Sequence, residues 1–449
     1  MWHRTILPSI ASHSDRFLGL NAIHLLRQGI SEEESSPTII VSVDIEDEVT
    51  KKSLREEILK LFEEPVRPSL RVVFEQSSLR RTVGSLLPPI CKPRNNSFQL
   101  FPQHGASIGI QHRVDCTASL GGYLIVDGQP YALTVDHIVP NDLANNGSIS
   151  LTHPSEQESQ DKPQWRRVSK HLQSLKDCCS YCYAIWKNHC NKTDFYKPVD
   201  LLSTGDPCAG VLDFQCLKHE LFQAHPCNAL GSMAQRSKTR SRSSIDDLGS
   251  YQIEMDWALV TLDKWQHPLK ESIREASKGL HFSSIQPGAK VKSTGRTSGS
   301  QFGCINTARS AIRQGSRFTE EWTVIRDSKT TLKHWVEGGI GVQGDSGSWI
   351  IDQESGALYG MVWGRHREKT DPICLFSPIL DVIADIKERT GAKTICLPAD
   401  EKEDFDKEKE REVFAVPAPE LIVNAHDARR FSSTSQTSFP QMISATGMR

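Results

Sequence analysis

Apolar and polar residues along this chain change rhythm twice. TIIVSVDI (Thr38 to Ile45) is a β-branched run and reads as a strand. Beyond it, Leu54, Ile58, Leu61 and Phe62 fall on one face of a helix over Ser53 to Glu64, which Pro65 and Pro68 close. SLRVVFE (Ser69 to Glu75) is a second strand, so residues 36–95 read as a small α/β unit. It is too short to be stable alone and is expected to pack on the next domain of the chain. Residues 1–35 read as a flexible or weakly helical lead, and no site chemistry is visible in the first hundred residues.

From about Gly105 a β texture takes over. Ser119 to Val126 and Tyr131 to Val135 form two strands around an Asp127-Gly128 turn, a strong hairpin signal. Short strand-like runs then recur (YQIEMDWALVTL, AKVKSTGRTSG, FGCINTARSAI, EEWTVI, SGSWIID, ALYGMVWG) until helical spacing returns near Ile379 to Ala392. Many short strands with Gly-bounded turns point to a mainly β barrel or sandwich. Residues 140–249 interrupt the pattern as a largely irregular, Cys-rich insertion whose basic run QRSKTRSRSS (Gln235 to Ser244) reads as a disordered loop. The tail, 398–449, opens with an alternating-charge run that reads as a solvated helix and ends in a Ser/Thr-rich disordered segment.

Composition narrows the function classes. Net charge is −2, which argues against a general nucleic-acid binder. No apolar run is long enough to span a membrane. The twelve cysteines follow no disulfide framework, and the first residues lack a secretory apolar core. An intracellular, cytoplasmic protein with mostly free thiols is expected, with a mitochondrial presequence as the other reading of the Arg- and Ser-containing start.

The strongest chemical signal is Gly344-Asp345-Ser346-Gly347-Ser348. Flanking glycines allow a tight turn that aims two amide N–H groups at one point, as stabilising an oxyanion requires. A serine nucleophile needs a base, and the base an orienting carboxylate. His137, just after the strand in YALTVDH, is the candidate base; Asp256, opening the apolar strand in EMDWALV, is the candidate carboxylate. Asp246, Asp247 and Asp263 are rivals for its role.

LTVDH, DWALV and GDSGS, in that order, resemble three catalytic segments of the chymotrypsin-like (trypsin-fold) serine peptidases. The likeness covers roughly residues 105 to 395. It implies a trypsin-like double β-barrel in residues 100–397 and a peptidase that acts on polypeptides without metal or organic cofactor. The implied roles are His137, Asp256 and Ser346 as triad and the Gly344 and Ser346 amides as oxyanion hole. Ile340, Gln343, Val362, Trp363 and Gly364 are the implied substrate-binding residues, the last three standing where the family pairs with substrate backbone. His137 and Asp256 lie 119 residues apart, more than twice the family's spacing, and the insertion accounts for the excess.

Three departures matter. Ile138 and Val342 stand where extracellular members carry cysteines. Ile340 replaces the acidic residue of Arg/Lys-specific members, so a modest apolar or uncharged residue is expected at the cleavage position. No activation site precedes the domain, so other contacts, a substrate or a partner must order the loop around Asp345. A catalytically silent or conditionally active binding module is the alternative reading. Cys179-x-x-Cys182 with His189 and Cys190 could be a zinc site, but free loop thiols are favoured. Arg236, Lys238, Arg240 and Arg242 could contact nucleic acid, but a solvated loop is favoured, and KSTGRTSGS (Lys292 to Ser300) reads as a β-turn. The oligomeric state is open.

Overall fold

The structure is a computed structural model that describes residues 2–12, 19–28, 35–81, 95–143, 149–153, 229–245, 251–262 and 267–400, apart from short breaks inside those ranges. The zinc-site candidates and the charged tail lie outside the described residues.

The chain is mainly β. In order, its strands are β1 (Leu20–Gln28), β2 (Ser36–Val43), β3 (Arg71–Glu75), β4 (Arg80–Arg81), β5 (Ser107–Ile110), β6 (Thr117–Ser119), β7 (Gly122–Val126), β8 (Gln129–Thr134), β9 (Ser150–Thr152), β10 (Ala229–Arg236) and β11 (Arg240–Ser243). They continue with β12 (Gln252–Met255), β13 (Ala258–Thr261), β14 (His281–Phe282), β15 (Lys290–Gly295), β16 (Gly299–Ile305), β17 (Ser310–Gln314), β18 (Arg317–Ile325), β19 (Trp349–Asp352), β20 (Ala357–His366), β21 (Ile373–Pro378) and β22 (Ile395–Cys396).

The strand pairings form two halves, in line with the expected two-barrel arrangement, and the second closes on itself. In the first half, β6 pairs β5, β5 pairs β9, β9 pairs β10, β10 pairs β13, β13 pairs β8, and β8 pairs β7. In the second half, β15, β16, β18, β21, β20 and β19 pair in turn, and β19 pairs back to β15. Ile108, Leu124, Leu133 and Val260 fill the first interior, and Val291, Ile305, Trp322 and Phe376 fill the second. Each fully buried aliphatic side chain of this kind stabilises the fold by about 1.5–3 kcal/mol.

Local chemistry explains the elements that frame the site. Asp127 and Gly128 both take positive φ, the turn that joins β7 to β8. The helix Ile379–Thr390 ends at Gly391, which takes the left-handed conformation. The helix Glu48–Lys60 starts at Asp47, whose carboxylate accepts from the amides of Val49 and Thr50.

Three expectations are corrected. Part of the lead is ordered: β1 lies between β2 and β17, burying Leu20, Ala22, Ile23, His24 and Leu26. Through β1 the N-terminal α/β unit extends the second barrel's sheet, and its core includes Ala308, Ala311 and Phe318. Residues 140–249 also hold β9, β10 and β11, two of them wall strands of the first barrel. The basic run is therefore no loose loop. Arg236 pairs with Asp136, and Arg240 and Arg242 pair with Asp385, so buried acids fix the guanidiniums. KSTGRTSGS is the β15–β16 hairpin, in line with the turn read from sequence.

Candidate active site

Both barrels contribute to one line of side chains. His137 sits in the short helical turn Asp136–Ile138 that follows β8. Asp256 fills the break between β12 and β13 and is fully buried. Its neighbour Trp257 is pinned on two sides, its amide donating to Ser237 Oγ at 3.0 Å and its indole N–H to Asp385 Oδ2 at 2.8 Å. The Asp256 carboxylate is thus presented from a rigid strand junction.

Ser346 lies between two glycines that no other residue could replace without displacement. Gly344 and Gly347 have φ of 99° and 97°. A Cβ on Gly344 would meet Thr297 Oγ1 at 2.4 Å, and one on Gly347 would meet the Ser119 carbonyl at 2.2 Å.

His137 Nε2 is 3.2 Å from Ser346 Oγ, and His137 Nδ1 is hydrogen-bonded to Asp256 Oδ2. The His137 backbone N–H donates to Asp256 Oδ1 at 3.0 Å, so one carboxylate grips both the ring and the main chain of the histidine. With Nδ1–H facing the carboxylate, Nε2 is left as acceptor for the Ser346 hydroxyl. The Trp363 carbonyl, 3.3 Å away, is the hydroxyl's alternative acceptor.

The serine loop is held without an ion pair. Asp345 is buried, and its Oδ1 accepts from the amides of Thr297 (3.0 Å) and Ser298 (3.1 Å) at the tip of the β15–β16 hairpin. The Gly344 carbonyl accepts from Ser119 Oγ at 2.9 Å, and the Ser346 carbonyl from the Ser119 amide at 2.8 Å. Contacts within the fold therefore hold the loop, one of the two routes open from the sequence. Burial drives the Asp345 carboxyl up to about 6, and the Ser298 hydroxyl together with the two amides only partly offsets it.

The remaining substrate-binding candidates are placed unevenly. Ile340 is buried in the apolar cluster of Trp335, Cys374 and Phe376, and Gln343 is half-buried. Val362 is spent inside the fold: its carbonyl accepts from Gly347 N–H at 2.8 Å and its amide donates to the Ser348 carbonyl at 2.9 Å. The Trp363 carbonyl lies 3.3 Å from Ser346 Oγ, and Gly364 pairs with Arg81 of β4.

Sequence reasoning missed Arg81 and Glu254. Arg81 donates to Asp256 Oδ2 at 2.8 Å and to Glu254 Oε1 at 2.8 Å, and its guanidinium lies over the Trp363 ring. Burial alone would raise Asp256, but His137 and Arg81 outweigh it and hold the carboxyl below its ordinary range. For Glu254 burial wins over Arg81, and its carboxyl is raised. Burial works against the Arg81 charge, but the two acids more than compensate. The residue types gave one usable signal, a Glu and an Asp two positions apart that ask for a cation, but nothing nearby in the chain supplies it. The described cysteines, Cys116, Cys304, Cys374 and Cys396, are thiols rather than disulfides. No cluster of metal-ligating side chains occurs among the described residues, nor is any described helix long and apolar enough to cross a membrane.

No family model matches the chain, and no curated protein matches its sequence. Among solved structures it is similar to protease A of Thermobifida fusca, with 11% identity over 65% of this chain and 96% of that one, at a TM-score of 0.28. It is similar to the chymotrypsin of Cellulomonas bogoriensis, with 13% identity over 65% of this chain and 96% of that one, at a TM-score of 0.29. A glutamic-acid-specific serine protease matches at 11% identity over 64% of this chain and 97% of that one, with a TM-score of 0.31.

Proposed function

We propose that the chain is a serine endopeptidase and that residues 100–397 are its peptidase domain. One observation carries the reading: the unbroken line from Ser346 Oγ through both ring nitrogens of His137 to the buried Asp256 carboxylate. That line gives a neutral hydroxyl a base and gives the base a fixed tautomer.

In the proposed reaction Ser346 Oγ attacks the scissile carbonyl while His137 Nε2 takes its proton. The amides of Gly344 and Ser346 receive the oxyanion. The C–N bond breaks as His137 returns the proton to the leaving amine, leaving an acyl-serine. A water then attacks the acyl carbon, giving its proton to His137, which returns it to Ser346 Oγ as the acyl C–O bond breaks and the new carboxylic acid leaves. Asp256 stabilises the imidazolium at both stages without taking the proton. In this reading Gln343 faces the side chain at the cleavage position with the buried Ile340 behind it, an uncharged residue is favoured there, and Trp363 and Gly364 offer backbone to the peptide.

A fluorophosphonate probe tests the reading. Labelling of the wild-type chain that disappears in Ser346→Ala is expected; a folded, unlabelled wild type would overturn it. The conditionally active alternative has one observation in its favour: the backbone edge at Gly364 is already paired within the chain.

A further inference from the structure

Strand β20 has two edges. One pairs β21 from Gly360 to His366. The other pairs β19 only as far as Met361, and then, past the nucleophile, pairs β4 in antiparallel register: Gly364 opposite Arg81 and Arg365 opposite Arg80. Trp363, between these partners, has its carbonyl 3.3 Å from Ser346 Oγ. A segment from far upstream thus runs along the open sheet edge beside the reacting hydroxyl. An extended peptide adds to such an edge as an extra strand, with backbone hydrogen bonds for affinity and side-chain pockets for selectivity.

The segment is anchored as a ligand would be. Arg81 spans Glu254 Oε1 and Asp256 Oδ2, each at 2.8 Å, and both acids are buried, their side chains 1% and 0% exposed. Leu79 packs against the buried apolar cluster that includes Trp363 and Leu375. The edge fits closely at Gly364, where a Cβ would lie 3.2 Å from the Arg80 carbonyl and 3.5 Å from Leu79 Cδ1.

The occupant also works against the chemistry. Asp256 Oδ2 accepts from both Arg81 and His137 Nδ1. Positive charge must grow on His137 as Ser346 is deprotonated, and a fixed guanidinium on the shared oxygen opposes it.

We propose that Glu254 and Asp256 form a guanidinium subsite on the β20 edge, and that the chain's own Leu79–Arg81 segment fills it as a competitor of peptide substrate. The favoured substrate is an extended peptide whose arginine falls in register with Gly364. This rests on the peptidase reading, which makes the β20 edge the substrate edge.

The test uses the full chain as wild type, Arg81→Ala and Arg80→Pro. The alanine removes the guanidinium, and the proline removes a backbone donor from the short strand. Three quantities are measured: Ser346 labelling by a small fluorophosphonate, kcat/KM on a quenched peptide library, and inhibition by acetyl-Leu-Arg-Arg-amide against acetyl-Leu-Arg-Ala-amide. The expected result is Ser346-dependent labelling of all three proteins, near wild type in Arg80→Pro and at least as fast as wild type in Arg81→Ala, and a rise of about tenfold or more in kcat/KM for both variants, with KM lowered in both. The Arg-Arg peptide should inhibit Arg81→Ala about tenfold more strongly than the Arg-Ala peptide. Thermal melting checks that each variant folds, and Arg80→Pro decides the matter if Arg81→Ala does not. Labelled, folded variants with unchanged or lower peptide turnover would overturn the competitor role and leave Arg81 a structural cation. Absence of Ser346-dependent labelling in every form would remove the peptidase reading, and the competitor with it.

Discussion

Two buried aspartates bracket the nucleophile and are held in opposite ways. Asp256 faces a histidine and an arginine, and its carboxyl lies below the ordinary range. Asp345, the residue before Ser346, accepts from two backbone amides, and its carboxyl rises to about 6. Both are fully shielded from water, so burial alone does not set their charge. A cation hydrogen-bonded to the carboxylate makes an aspartate an electrostatic component; neutral donors make it a structural hydrogen-bond acceptor. In the proposed reaction Asp256 acts through its charge on His137, whereas Asp345 acts through the shape it gives the Gly344–Gly347 loop.

Replacing each by asparagine sharpens the contrast. Asp256→Asn keeps the volume, but its amide can hold His137 in the wrong tautomer and cannot stabilise the imidazolium. A loss of about 10⁴ in kcat is expected, read as the fall in peptide turnover. A loss below about tenfold would mean that the charge of Asp256 is not used. Breaking the other end requires an attack on its amide donors. Ser298→Pro removes one N–H to Asp345 Oδ1, loosening the loop that aims the Gly344 and Ser346 amides. The expected cost is about 10²-fold in kcat, comparable with losing one oxyanion donor, with KM little changed.

The segments of His137, Asp256 and Ser346 were legible because their signals are local: a histidine at a strand end, an aspartate opening an apolar strand, a serine between glycines. The Asp127-Gly128 hairpin and the helix from Ile379 were legible for the same reason. What stayed hidden depends on residues that meet only in the folded chain. The basic residues from Arg236 to Arg242 carry the composition of a solvated loop, and only the fold brings Asp136 and Asp385 to them. Arg81 stands in a segment without any catalytic signature and matters because β4 lands on β20. Two of the donors to Asp345 are the backbone amides of Thr297 and Ser298, which leave no mark in residue identity.

Asp345→Asn should separate shape from charge at modest cost. The amide oxygen can still accept from Thr297 and Ser298, so turnover should fall less than about tenfold. The pH dependence of stability is more telling. The folded carboxyl sits at about 6, against an ordinary value of 3.8. Between those values the folded chain keeps the proton that the unfolded chain has lost. The stability contributed by protonated Asp345 is complete below the unfolded value and is lost as pH rises through about 6. The difference is on the order of 3 kcal/mol. Wild type should therefore lose stability relative to Asp345→Asn between about pH 4 and 7. Asp256 has the opposite sign: its folded value is depressed, so its contribution is present above the unfolded value and fades as pH falls through the folded one. Melting both variants against wild type across that range gives two difference curves, and parallel slopes would erase the distinction.

The smallest effect expected is at Ser119, which touches the serine loop but neither aspartate. Its hydroxyl donates to the Gly344 carbonyl at 2.9 Å and accepts from the Arg296 amide at 2.8 Å, tying the loop to the β15–β16 hairpin. Ser119→Ala deletes both bonds and leaves a buried carbonyl and a buried N–H without that partner, for about 1–3 kcal/mol of stability. The Ser119 amide still donates to the Ser346 carbonyl, and Thr297 and Ser298 still hold Asp345. Turnover should therefore fall only a few-fold while the melting temperature drops. A loss of turnover as large as that of Ser298→Pro would mean that the Gly344 carbonyl, rather than the Asp345 carboxyl, sets the loop's shape, and would move the structural half of the comparison from the aspartate to its neighbour.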